Sequence, residues 1–174
     1  MNIARLLDTA LIDLHFQVDL PHAGAGDDES DDTEELSDKQ KRENKEAIID
    51  GLVQLLERSP HVGNRNKLLT DFINRERKAT TAIGFGIAIP HIRTYQAKEL
   101  IIGVAVSEVG YEFDAPDGEP IRLFFVMAAP NYDDSLYLRV FKALAEVLQF
   151  DYFRDRLLNA EEEYDIIRAF QEME

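Results

Sequence analysis

The chain has 174 residues, long enough for one domain with a sizeable core, and its hydrophobic (45%) and charged (30%) fractions are ordinary for a globular protein. It contains no cysteine, which excludes a disulfide framework, a thiolate metal site and a cysteine nucleophile. A formal charge of −15 repels nucleic acid and anionic lipid, and leaves a protein with a basic or apolar face as the easier partner. No apolar run approaches membrane length, since the uncharged stretch from Leu123 to Asn131 is only long enough for a buried strand. Arg5 is followed by Asp8 and Asp13, so no signal peptide is visible. These features predict a cytoplasmic protein with no nucleic-acid partner and no membrane insertion.

Ile3 to Ala10 has the spacing of a short leading helix, and Leu14, Phe16, Val18 and Leu20 alternate with polar neighbours as a half-buried strand does. The uncompensated acidic run from Asp27 to Glu35 repels itself and lacks apolar anchors, which predicts a mobile loop over 21–36. Its spacing lacks the central glycine and terminal glutamate of a calcium-binding EF-hand. Ser37 with Gln40 fits a capping box, opening a helix whose Ile48, Leu52, Leu55 and Leu56 recur at helical spacing until Ser59-Pro60. A second helix follows, capped by Asn64 or Asn66, with Leu68, Leu69, Phe72 and Ile73 buried, and runs into the charged stretch from Arg75 to Lys78.

From Thr81 to Pro90, large residues (Ile83, Phe85, Ile87, Ile89) alternate with small ones (Ala82, Gly84, Gly86, Ala88). That period of two predicts one extended segment with a bulky face and a nearly bare face, ending at Pro90-His91. Strands are expected at Leu100 to Val106 and Ile121 to Ala129, the second apolar enough to be central, with Pro116 to Gly118 as a turn between them. Ser135 is expected to cap a helix bearing Leu136, Val140, Ala143, Leu144 and Val147, and shorter helical patterns cover Asp151 to Leu158 and Glu161 to Phe170. Helices before, between and after strands predict an α/β fold, a three-layer αβα sandwich around a central mixed β-sheet, built as a single domain over 1–174.

Most chemical motifs are absent: there is no Walker loop and no nucleophile elbow, and Gly84-Phe85-Gly86 leads into more strand rather than a helix. The four histidines show no metal-ligand spacing, and His15, His22 and His61 read as surface residues. His91 follows directly on an apolar strand, where α/β sheets gather functional groups. A neutral imidazole is nucleophilic near neutral pH when a carbonyl holds its tautomer, and phosphoryl transfer to it needs positioning and cations, for which Arg75 and Arg93 are candidates. On these residues alone His91 reads either as a phosphoryl acceptor or as a structural histidine ending a strand.

The run from Thr80 to His91 (TTAIGFGIAIPH) resembles the signature of type-2 (fructose/mannitol) enzyme IIA domains of the bacterial phosphotransferase system, a family that includes the nitrogen-regulatory IIA proteins. Arg75-Glu76 matches the family's Arg-Glu pair, while Phe113 to Asp117, Pro120 and Leu123 to Pro130 match its next block, so the resemblance covers roughly residues 44–170. It implies that His91 accepts phosphate from an HPr-type phosphocarrier protein and that Arg75 binds the phosphoryl oxygens, with Arg93 kept as a candidate from its chemistry; no cofactor or metal is expected to take part. The family's second active-site histidine falls on Tyr137, which the resemblance makes a third phosphate-binding residue; its small residue after the acceptor is Ile92, and a polar residue between the glycines is Phe85. These departures imply a bulkier, drier pocket. Two readings follow: a phosphocarrier serving sugar transport or a regulatory branch, or a binding module with weakened transfer. Onward partners would be a IIB domain, a regulated transporter or a sensor protein. A IIB cysteine is absent here, which suits a stand-alone, nitrogen-type IIA.

Overall fold

In the computed structural model, residues 1–22, 35–133 and 135–174 are described. Most of the acidic run on which the 21–36 loop expectation rests, residues 27–34, lies outside them. The last described residue before it, His22, is tied down on both sides. The Asn44 amide accepts from the His22 N–H and donates to its carbonyl, both at 2.9 Å, and His22 Nε2 meets Glu43 Oε2 at 2.6 Å. Local pattern could not foretell this anchor, because the contact joins residues 22 apart.

The N-terminus forms two short 3-10 helices, Ile3–Leu6 and Thr9–Leu11, rather than one helix. Asn2 and Asp8 side chains accept from Arg5 and Ala10 N–H groups and so open each turn, and the extended Leu7 and Asp8 between them break the run in two. Strand β1 is only Ile12–Asp13. Leu14 and Phe16 are buried as the alternation required, but the ladder has already ended at a turn over Leu14 and His15. The alternating pattern reported burial, and burial does not need continuous pairing.

Helix α1 (Asp38–Leu56) opens on the expected capping box, Ser37 with Gln40, and helix α2 (Arg65–Lys78) on Asn64. The segment expected to be one extended strand is a hairpin: β2 (Ala82–Gly84) turns into β3 (Ile87–Ala88), antiparallel to it. Gly84, Phe85 and Gly86 all have positive φ, at +96°, +58° and +75°. Glycines on either side of Phe85 make that reversal affordable, and Asp117 Oδ2 accepts from the Phe85 N–H at 2.9 Å. Because the chain folds back, there is no bare face; Ile87, Ala88 and Ile89 are all fully buried.

Strands β4 (His91–Thr94), β5 (Ile101–Tyr111) and β6 (Ile121–Pro130) complete a mixed six-stranded sheet. Its order is β1-β5-β6-β3-β2, with β4 pairing parallel to β6 just beyond β3. Leu123, Phe125 and Met127 of β6 face helices α3 (Leu136–Val147), α4 (Asp151–Leu158) and α5 (Glu163–Glu172), packing with Val140, Leu144, Phe153 and Phe170. Phe124, Val126 and Ala128 face α1 and α2, packing with Leu52, Leu56, Leu68 and Phe72. One strand with period-two burial thus serves two cores, which is the αβα sandwich.

Helix α1 lies close on β5 because position 103 has no side chain. A Cβ on Gly103 would stand 2.9 Å from Val126 Cγ1 and 3.1 Å from Leu56 Cδ2. Gly103→Val should therefore cost about 1–3 kcal/mol of stability through overpacking, read by urea unfolding. A change within error would mean that α1 can slide off the strand freely.

Candidate functional site

His91 is the first residue of β4, an edge strand bonded only to β6 among the described residues. Pro90 has no N–H to give, and its carbonyl accepts from Met127 N at 2.8 Å, which registers His91 opposite Met127. His91 lies just beyond the carboxyl end of β3, which ends at Ala88, and it is also the first residue of a new strand, which the sequence pattern did not show. Residues 91 and 93 point to one side, while Ile92 turns into the core beneath α1 and α2.

His91 Nδ1 lies 2.7 Å from the Ile89 carbonyl oxygen. A carbonyl can only accept, so Nδ1 carries the proton, and Nε2 is left with its lone pair. The imidazole is half-buried, 4.7 Å from the Phe141 ring and 6.2 Å from the Tyr137 ring, centroid to centroid, and tilted 41° and 37° to them. Burial pushes the His91 pKa below its ordinary 6.5; the Arg75 charge pushes the same way, and the Ile89 carbonyl and Glu76 oppose.

The ring opens on a cleft of about 450 Å³, many times the roughly 30 Å³ of one water molecule, lined by residues of α2, β4 and the start of α3. Three residues singled out from the sequence, Arg75, Arg93 and Tyr137, line the same cleft as His91. Arg75 Nη1 donates to the Ala79 carbonyl at 3.0 Å. The Arg93 guanidinium stands 5.8 Å from the Tyr137 ring centre and donates to the Asp133 carbonyl at 3.4 Å.

Two expectations change. Phe85 does not line the cleft; it stands at the hairpin tip, largely exposed, with the Arg154 guanidinium 4.5 Å from its ring centre. Ser135 makes no side-chain cap, and Asp133 Oδ1 instead accepts from the N–H groups of Ser135 and Leu136, at 3.0 and 2.7 Å. Ile92 lines the cleft floor from its place in the core.

Sequence reasoning missed Phe141, Asn74 and Lys78. Each was within reach of helical spacing: Phe141 lies four residues after Tyr137, and Asn74 and Lys78 flank Arg75 on one helix face. It also missed what holds the end of α2. The Glu76 carboxylate accepts from Thr81 N at 2.9 Å, Thr81 Oγ1 at 2.7 Å and Lys45 Nζ at 2.8 Å. Lys45 reaches Asp114 at 3.4 Å and lies over the Phe113 ring. The Lys45 and Glu76 side chains are only 11% and 4% exposed, so each charge depends on the other.

Solved structures share this architecture. The nitrogen regulatory protein IIA-Ntr from Neisseria meningitidis superposes with a TM-score of 0.76 at 22% identity, over 98% of this chain and 99% of that one. The mannitol IIA of Escherichia coli gives 0.67 at 17% identity, over 94% and 98%. The fold is therefore that of phosphotransferase-system IIA proteins.

The chain belongs to the family described as phosphoenolpyruvate-dependent sugar phosphotransferase system, EIIA 2, whose profile it matches over residues 32–173. It is 35% identical over 117 residues to the fructose-specific EIIA component of Haloferax volcanii, covering 67% of this chain and 76% of that protein. It is 29% identical over 116 residues to a nitrogen regulatory protein of Pseudomonas aeruginosa, covering 67% and 75%. A match to the fructose-specific EIIABC component of Bacillus subtilis, 33% identical over 71% of this chain, spans only 19% of that longer protein. Among the described residues no helix is long and apolar enough to cross a membrane.

Two measurements check this geometry. Because the folded pKa of His91 is depressed, its neutral form contributes stability above about pH 6.5, and that contribution is lost as pH falls through the folded value. The His91 ring, followed by NMR, should titrate below 6.5, and Arg75→Gln should move its midpoint upward; a wild-type midpoint at or above 6.5 would mean a solvated ring. Separately, Lys45→Met should lose about 3–5 kcal/mol in urea unfolding, by leaving Glu76 buried without its counter-charge. A loss under about 1 kcal/mol would show that water or a proton replaces the ammonium.

Proposed function

We propose that this chain is a phosphoryl carrier in which His91 Nε2 accepts phosphate from an HPr-type phosphocarrier protein. The observation that carries the reading is the Nδ1 contact to the Ile89 carbonyl at 2.7 Å, with Nε2 left for a cleft bearing Arg75 and Arg93. The lowered pKa keeps the ring neutral, and so nucleophilic, at physiological pH. In the transfer, the phosphorus–nitrogen bond to the donor imidazole breaks as the bond to His91 Nε2 forms. The donor ring leaves neutral because its other nitrogen keeps a proton, and no net proton is released. Arg75 and Arg93 neutralise the phosphoryl oxygens, and the Tyr137 hydroxyl donates to one of them. Phosphate then passes to a IIB domain, or the phosphorylation state is read by a regulated transporter or sensor protein. Membership of the EIIA 2 family, and relatives named both for fructose transport and for nitrogen regulation, support either branch.

A second reading, a binding module with weakened transfer, is favoured by one feature. Two aromatic rings, Tyr137 and Phe141, lie beside the imidazole, and Tyr137 falls where the family resemblance calls for a second histidine. Incubation with phosphoenolpyruvate, enzyme I and HPr separates the two. One phosphoryl group, acid-labile and base-stable, should appear by intact mass and vanish in His91→Ala. Absence of label in the wild type would favour the binding module, and label surviving in His91→Ala would sink the carrier assignment.

Tyr137 refines the test. Tyr137→Phe should slow single-turnover transfer about ten- to a hundredfold, the loss of roughly 1.5–3 kcal/mol for a hydrogen bond to a charged group. Tyr137→His should raise the rate, since imidazole can add a positive charge as well as a donor. Equal rates for wild type and Tyr137→Phe would mean that the hydroxyl does not touch the phosphoryl group.

A further inference from the structure

Phe85 takes no part in the His91 cleft, yet the hairpin tip is built around it. Its backbone sits at φ +58°, a left-handed conformation that asparagine or glycine adopts with less strain. The reversal between β2 and β3 accounts for Gly84, Gly86 and the Asp117 bond to the Phe85 N–H, but not for a phenyl ring. Nor does packing account for it, because the residue is 61% exposed and gains little from burial. The Arg154 guanidinium, 4.5 Å from the ring centre, makes a cation–π contact that is weak at an exposed site but fixes how the ring is presented.

Arg154 places that ring at the corner between α3 and α4. Its Nη1 donates to the Leu148 and Gln149 carbonyls at 2.7 and 2.8 Å. Two more exposed rings, Phe150 and Tyr152, stand at the same corner with their centres 5.7 Å apart. Two exposed carboxylates accompany them: Asp117 accepts from the Phe85 N–H, and Asp151 lies between Phe150 and Tyr152 in the chain. Tyr137, by contrast, lies in the first turn of α3, beside the imidazole. The 12 residues of that helix span about 18 Å, so Phe85 and His91 stand near its opposite ends.

We infer that this corner is a second docking surface, separate from the phosphoryl cleft, on which Phe85 anchors a protein whose apolar pocket is edged by lysine or arginine. An aromatic ring held in place before binding loses little freedom on docking, and rings of this kind dominate binding energies. Three half-exposed rings offer about 100 Å² each, well below the roughly 800 Å² per partner of a stable interface, so charge has to supply part of the affinity. A second copy of this chain would bring another −15 and oppose it, and an anionic lipid surface would do the same. A basic protein meets Asp117 and Asp151 favourably. The surface does not depend on the phosphate chemistry, and it serves a carrier and a binding module alike.

The probe is the photoreactive analogue p-benzoylphenylalanine, placed at position 85 of the full chain in the cells whose genome encodes it. A chain carrying the analogue at position 95, in the wall of the His91 cleft, is the reference. A protein other than this chain or the phosphate donor should cross-link at 85 and not at 95, and is identified by mass spectrometry. Once purified, it should bind the wild-type chain with a Kd that Phe85→Asn raises about tenfold, and that also rises between about 50 and about 500 mM salt. Asparagine accepts the left-handed backbone, so the variant should keep the wild-type Tm and the wild-type labelling of His91. No cross-link at 85, a cross-link there to the phosphate donor or to a second copy, or a Kd that Phe85→Asn or salt leaves unchanged would overturn the inference. Co-sedimentation of the wild type with phosphatidylcholine vesicles, lost in Phe85→Asn, would overturn it in favour of a lipid surface.

Discussion

Strand β6 is bonded along both edges and covered on both faces, and the position of His91 and Arg93 in the cleft can be traced to it. On one edge it carries β5 antiparallel; on the other it carries β3 and then β4, both parallel and in tandem. Two strands can share one edge only if the chain steps between them, and Ile89-Pro90 is that step. The Pro90 carbonyl still bonds to Met127 N, so the step costs the central strand no hydrogen bond. It also brings the Ile89 carbonyl to the imidazole two residues on. The tautomer of His91 is thus a consequence of sheet registry.

Around that ring the electrostatics are balanced rather than extreme. Burial and Arg75 disfavour the imidazolium, while the Ile89 carbonyl and Glu76 favour it. Arg75 and Glu76 are neighbours in sequence at the end of α2, yet they point into different surroundings. Arg75 lines the open cleft, and Glu76 is sealed among Thr81 and Lys45. A buried ion pair of this sort adds little net stability, but it makes the alternative positions of the helix end costly. It ties α1, α2 and the entry to β2 together, and so sets where the Arg75 guanidinium can reach.

The charge of the molecule has two scales. Summed over the chain it is strongly negative, whereas in the lining of the His91 cleft Arg75, Lys78 and Arg93 stand against one carboxylate, Asp71. Screening separates these scales, because total charge acts over distances at which salt has already damped it. Composition alone pointed to a partner with a basic or apolar face, and a net charge does not record that Arg75, Lys78 and Arg93 gather in one cleft.

Local rules were enough to read much of this protein. The caps at Ser37 and Asn64, the span of α1, the apolar centrality of β6 and the singularity of His91 all follow from contacts within a few residues. Residue chemistry offered Arg75 and Arg93 as candidates, and the family resemblance matched Arg75 and added Tyr137, which spacing could not have joined to His91. What tertiary structure decided were matters of direction and of distant pairing. The Thr81 to Pro90 alternation was real, but three positive φ values turned it into a hairpin, and Phe85 was carried away from the cleft. Leu14 and Phe16 were buried although β1 pairs with β5 at only two positions, the Phe16 N–H alone reaching on past the turn to the Val106 carbonyl. Phe141 on the imidazole, Lys45 under Glu76 and Asn44 on His22 depend on packing between separate elements. A sequence encodes the period of a pattern directly, but which side chains meet across that pattern is set only when the chain has closed around its core.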